Sequence, residues 1–161
     1  MKINDKPNDI ILMLEDGTPS HFKLSEFANE EGVAIVNPLL LFRLELLRNA
    51  LANIFKEEIW IIITDATRTQ RDNERLAEKY GWADEGGAVS RHSKHLTKYG
   101  GIAVDIKAFK AKKDELAGFR GRVSQAMLGR AARDIFPYVK DDYADGHVHV
   151  DCWDRRKDDL V

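Results

Sequence analysis

Apolar residues change their period several times along the chain, and each change marks an element. A short apolar run from Ile10 to Leu14 stops at Asp16-Gly17, and His21 to Leu24 follows, which predicts a strand, a tight turn and a returning strand. From Pro38 the pattern becomes helical: Leu39, Phe42, Leu46, Leu47, Ala50, Leu51 and Ile54 recur at three- and four-residue spacing. Proline suits the first turn of such a helix because the amide hydrogen it lacks has no partner there. Ile59 to Thr64 is a near-continuous apolar run, short enough to be a buried strand. Thr69 to Tyr80 predicts a second helix that Gly81 ends, and Trp82 to Lys94, with Gly86-Gly87, reads as a loop.

Two later segments alternate instead. Ile102, Val104 and Ile106 share one face of a strand, and Ala103 and Asp105 take the other. Val148 and Val150 alternate with His147, His149 and Asp151, so these three polar side chains point the same way. Between the two strands, Leu116, Phe119, Val123, Met127, Ala131 and Ile135 suggest a final helix from about Lys112 to Asp134. Gly118, Gly121 and Gly129 weaken it, at roughly 1 kcal/mol each relative to alanine in a helix interior. With no repeat or linker, the elements predict one α+β domain over residues 1–161, helices packed on a small antiparallel sheet.

Composition narrows the class. A chain of 161 residues supports one real core, and a net charge of −2 with both signs interspersed offers no nucleic-acid footprint. Cys152 is the single cysteine, so no internal disulfide forms; it falls on the Val148/Val150 face and reads as a core thiol. Met1 to Ile10 is polar, and no apolar stretch is long enough to span a membrane, which predicts cytoplasmic synthesis without a signal peptide. A monomer is expected.

The chemistry lies in the histidines. Four of the five fall in two clusters, Ser90-Arg91-His92-Ser93-Lys94-His95 and His147-Val148-His149-Val150-Asp151, with Asp105 on the strand between them. One His-x-His fits a half-exposed sheet edge, but four clustered histidines with a facing carboxylate read as a zinc site, since Zn²⁺ accepts both ligand types. His21 stands outside both clusters and reads as a surface residue.

Ser93-Lys94-His95, Gly101-Ile102-Ala103-Val104-Asp105 and His149-Val150-Asp151 resemble the ordered signature of the zinc D-Ala-D-Ala carboxypeptidase family, which shares its fold with the hedgehog signalling domain. The likeness extends to Phe22-Lys23-Leu24-Ser25-Glu26-Phe27 and to Ile62 through Thr69, so it covers about residues 22–153 and points to small bacterial and phage members. It implies a hedgehog/DD-peptidase-like fold, with Zn²⁺ on His95, Asp105 and His149. The gap from His95 to Asp105 is three residues longer than the family's, so Leu96 to Gly100 must loop out, and His92 stays a rival for the first ligand position.

Many family members carry an acid three residues before the last zinc histidine, where this chain has Gly146. Asp145 is the nearest substitute as general base, with Asp142 behind it, and both lie in an acidic turn whose plain reading is a solvated loop. The resemblance places His147 beside the metal as a catalytic group that stabilises the intermediate. It places Arg68 near the substrate, where a guanidinium can grip a carboxylate. Asp151 would accept a hydrogen bond from a ligand imidazole. The function so implied is zinc-assisted hydrolysis of an amide bond in a peptidoglycan stem peptide, either D-Ala-D-Ala or L-Ala-D-Glu. A phage enzyme released to the wall would reconcile that substrate with cytoplasmic synthesis. The alternative from the same fold is a non-catalytic module that keeps zinc for stability or for binding wall or protein partners.

Overall fold

A computed structural model describes residues 10–116 and 118–156. Strands β1 (Ile11–Met13) and β2 (Pro19–Lys23) pair antiparallel around a turn in which Gly17 takes a left-handed φ of +81°. Asn37 then caps helix α1 (Pro38–Phe55) by accepting from the Leu39 amide. Strand β3 (Ile59–Asp65) leads through Thr69, whose hydroxyl accepts from the Asp72 amide while Asp72 reaches back, into helix α2 (Gln70–Tyr80). The long strand β4 (Ala103–Lys113) turns into the short β5 (Arg120–Arg122), followed by helix α3 (Gln125–Arg133), β6 (Tyr138–Lys140) and β7 (Val148–Asp151).

The fold is α+β. The sheet runs β3-β4-β7-β6, with β5 beside the far end of β4, and every pairing in it is antiparallel. Val104, Ile106 and Ala108 of β4 and Val148 and Val150 of β7 point to one face, where they join α1 and α3 in the core. Leu44, Leu47 and Leu51 of α1 are wholly buried there, each contributing about 1.5–3 kcal/mol of apolar burial. The alternate residues, Asp105 and His149 among them, face away from those helices, and Asp105 lies directly across from His149.

Two expectations fail for physical reasons. Residues 112–134 are not one helix: β4 runs on to Lys113, a turn through Gly118 (φ +71°) reverses the chain, and the helix starts only at Gln125, capped by Ser124. Leu116 and Phe119, placed in its apolar stripe, are exposed. The apolar stripe of α1 is also rotated, because this helix is apolar almost all round and periodicity cannot choose a face. The buried set is Leu40, Leu41, Leu44, Leu47 and Leu51, while Leu39, Phe42, Leu46 and Ile54 meet solvent. Cys152 packs against the core, and burial pushes its thiol pKa up. Among the described residues no helix is long and apolar enough to cross a membrane.

Candidate metal centre

Three segments deliver one side chain each to the sheet face opposite α1 and α3. Strand alternation sends Asp105 and His149 there side by side. His95 arrives on the loop that joins α2 to β4, and that loop is fixed at both ends. The Arg68 amide donates to the His95 carbonyl and the Thr97 amide to the Arg68 carbonyl, while beyond a short turn the Asn37 amide donates to Gly101. Gly100 and Gly101 both take left-handed φ, and a Cβ on Gly101 would lie 2.3 Å from the Ile35 carbonyl, so the extra residues before Asp105 close only through glycine here. His92 stays exposed, whereas His95 is buried. Of the two, His95 is the one brought beside Asp105 and His149.

The three inner atoms form a near-equilateral triangle. His95 Nε2 lies 3.1 Å from Asp105 Oδ1 and 3.1 Å from His149 Nδ1, and His149 Nδ1 lies 2.9 Å from Asp105 Oδ1. Each ring is held from behind. His95 Nδ1 is 2.8 Å from the Ala66 carbonyl oxygen, which only accepts, so Nδ1 carries the hydrogen and the neutral ring turns a lone pair inward from Nε2. His149 Nε2 donates to Asp151 Oδ2 at 2.9 Å, which leaves the Nδ1 lone pair facing inward. With both rings neutral, these lone pairs and the Asp105 carboxylate converge as three acceptors.

Such a group suits a cation. Tetrahedral zinc with bonds of about 2.0–2.1 Å separates its ligand atoms by about 3.3 Å, slightly wider than the triangle here, so His95, Asp105 and His149 fit a metal ion with three protein ligands. Without an ion the same contacts are closed by a proton instead. Burial alone would raise the Asp105 pKa, but hydrogen bonds from His149 and His95 and their charges outweigh it and hold the carboxyl well below the usual range. Burial would lower the His149 pKa, yet Asp105 and Asp151 together raise it.

Asp151 is completely buried, and its own pKa is lowered because His149 and Arg155 outweigh desolvation. The Arg155 guanidinium grips both its oxygens, at 3.0 and 3.1 Å, and lies over the Tyr138 ring.

His147 stands next to the triangle. Its Nε2 is 3.5 Å from Asp105 Oδ2 and is buried without a hydrogen-bond partner, while Nδ1 bonds Asp145 Oδ1 at 2.5 Å. Tyr143 stacks on the ring at 3.9 Å. Burial, reinforced by the Asp105 charge, pushes the Tyr143 pKa up to about 12, so it stays a phenol. Asp145 itself is largely exposed and turned to His147; Asp142 is exposed and lies 3.9 Å from Lys140.

Gly146 lies in a tight turn before His147. It takes φ +82°, and a Cβ there would come within 2.5 Å of the Arg122 guanidinium, which donates to the Gly146 carbonyl. Arg68 pairs with Asp65 and donates to Asn73 and Ser93, while its Nε is buried without a partner. Asp65, Tyr143, Tyr138 and Arg155 were not singled out from the sequence, and nothing in their spacing marks them.

No family model matches this chain, and a comparison with curated proteins likewise finds no match.

Proposed function

We propose that the chain is a zinc-dependent peptidase of the zinc D-Ala-D-Ala carboxypeptidase type, acting on an amide bond of a peptidoglycan stem peptide. The observation that carries the reading is the triangle of three acceptors with His147 beside it. Zinc held by His95, Asp105 and His149 would polarise a scissile carbonyl and acidify water.

This chain's own residues supply the proton transfer. Asp145 holds Nδ1–H of His147 and so fixes the tautomer in which Nε2 has a free lone pair next to the metal group. His147 then takes the proton from the attacking water and passes it to the leaving amine, with Asp145 as its positioning partner rather than the base itself. Arg68 stands just beyond β3, its guanidinium held by Asp65, Asn73 and Ser93, as a grip for a substrate carboxylate.

The second reading, a zinc-keeping module without catalysis, draws on Gly146, where Arg122 fills the space an acidic side chain would need. One experiment separates them: zinc content and muropeptide hydrolysis measured on the same dialysed samples of wild type, Asp105→Ala and His147→Gln. The peptidase reading expects about one zinc per chain in wild type, loss of metal and turnover in Asp105→Ala, and retained zinc with hydrolysis reduced about 10²- to 10⁴-fold in His147→Gln. Stoichiometric zinc with no hydrolysis of any stem peptide establishes the module. No metal after zinc is supplied ends both.

A further inference from the structure

The face of the sheet opposite α1 and α3 is covered at the metal group's end and open at the other. The register there is explicit. Ile62 lies across from Lys107, Trp60 across from Phe109, and Phe109 across from Arg122, so these side chains share the face that carries Asp105 and His149. Trp60 and Ile62 are 41% and 42% exposed, unusual for an aromatic and an isoleucine in a sheet. Arg120 stacks its guanidinium on Trp60 at 4.0 Å and donates to the Ala111 carbonyl. Arg122 donates to the Gly146 carbonyl.

None of Lys107, Arg120 and Arg122 has a carboxylate within ion-pairing distance among the described residues. Elsewhere on the surface Arg75, Arg91, Arg133 and Arg156 pair with acids. The shelf meets the metal group directly, since Arg122 holds the turn that precedes His147.

We propose that Trp60, Ile62, Lys107, Phe109, Arg120 and Arg122 form a docking shelf on which a carboxylate-bearing peptide lies extended as one of its bonds reaches the metal group. The occupant follows from charge and continuity. Three cations, of which Lys107 also feels the Asp145 charge, match an anionic chain, the exposed aromatic and aliphatic side chains match its apolar stems, and the shelf leads to His147 without a break. This deepens the peptidase reading and rests on it for the identity of the peptide.

The test is a titration of zinc-supplied, full-length protein followed by Trp fluorescence. The probe is a synthetic stem-type pentapeptide with free carboxylates, set against the same peptide with those groups amidated. The free acid should bind more tightly, more weakly in high salt, and about two- to fivefold more weakly in each of Lys107→Gln and Arg120→Gln, while Lys79→Gln on α2 leaves binding as it was. Equal affinity for acid and amide, or no response to the shelf variants, overturns the proposal. So does tighter binding of a single-stranded oligonucleotide that depends on the same residues. Hydrolysis is read separately in the same mixtures. Charge-dependent binding without cleavage keeps the shelf and removes the peptidase, whereas cleavage with charge-independent binding removes the shelf and keeps the peptidase.

Discussion

Two clusters in this protein are built from the same residue types, histidine and carboxylate, and their hydrogen-bond arithmetic is opposite. Under the N-terminal hairpin, Glu45 accepts from the Ser20 hydroxyl, the His21 amide and His21 Nδ1, and Arg48 donates to both Glu45 and His21 Nε2. Each acceptor there meets a donor. Burial would raise the Glu45 pKa, but those hydrogen bonds prevail and lower it. In the other cluster, His95, His149 and Asp105 aim three lone pairs at one point when the rings are neutral, and the groups behind them, Ala66 and Asp151, enforce that aim. A closed cluster locks a hairpin onto a helix; an open one can take a cation. Residue identity does not separate the two cases, whereas counting donors does.

The sharpest way to break this contrast is zinc itself. Zinc at about a thousandfold excess over its dissociation constant should stabilise the fold by about 4 kcal/mol, a rise in Tm of about 8–16 °C in a chain of this size. His149→Ala should abolish that rise and His21→Ala should leave it intact. If scanning calorimetry shows the same zinc shift in His149→Ala, the open cluster is not the binding site.

Asp151→Asn comes next. It keeps the shape behind His149 but removes the charge, and titration with a competing chelator should show zinc affinity lower by about 10- to 100-fold. Unchanged affinity would mean that Asp151 does not orient the ring. Glu45→Ala sharpens the other side: it strands several donors and should cost about 1–3 kcal/mol in urea unfolding, equally with and without zinc. A cost that depends on zinc would couple clusters that look independent.

The smallest effect is in pH, and its sign differs between the two states of the protein. In chelator, the raised His149 pKa means that the protonated ring favours the fold. That stability is fully present below the ordinary imidazole value of about 6.5 and is lost as pH rises through the raised one. Below about pH 4 the advantage is spent, because Asp105 and Asp151, whose pKa values are lowered, lose their own contribution as they protonate. With zinc the order reverses, since the metal needs neutral imidazole and leaves as pH falls. Parallel melts between pH 5 and 8, with and without chelator, should therefore slope in opposite directions; parallel slopes would count against metal at this site.

Where the chain's pattern is unambiguous, the structure follows it. Alternation around Val104 and Val148 places Asp105 and His149 on one face, and cross-strand register puts them together. Thr69 and Gly81 bracket α2 as their capping chemistry demands. Pattern fails where two periods fit the same residues. Lys112 to Asp134 offers a plausible stripe, but it is a strand end, a glycine turn and a short helix, and only long-range pairing with β5 settles it. α1 offers too many apolar positions, so the sheet and not the sequence selects which are buried. Within the site, Tyr143 on His147 and Arg155 on Asp151 are tertiary partners with no local signature. Gly146 is an informative case: read along the chain it stands where the resemblance expects an acid, and in space it takes φ +82°, which glycine adopts without strain, with the Arg122 guanidinium against it.

The bond from His95 to the Ala66 carbonyl carries one more implication. That acceptor belongs to the main chain, so it is present whatever side chain residue 66 bears, and substitution there acts on it only through size, since Ala66 is buried. Asp151, doing the equivalent work for His149, is deleted by a single codon change. The two imidazoles thus stand on supports of unequal heritability: one survives drift in its own codon, and the other must be guarded by selection.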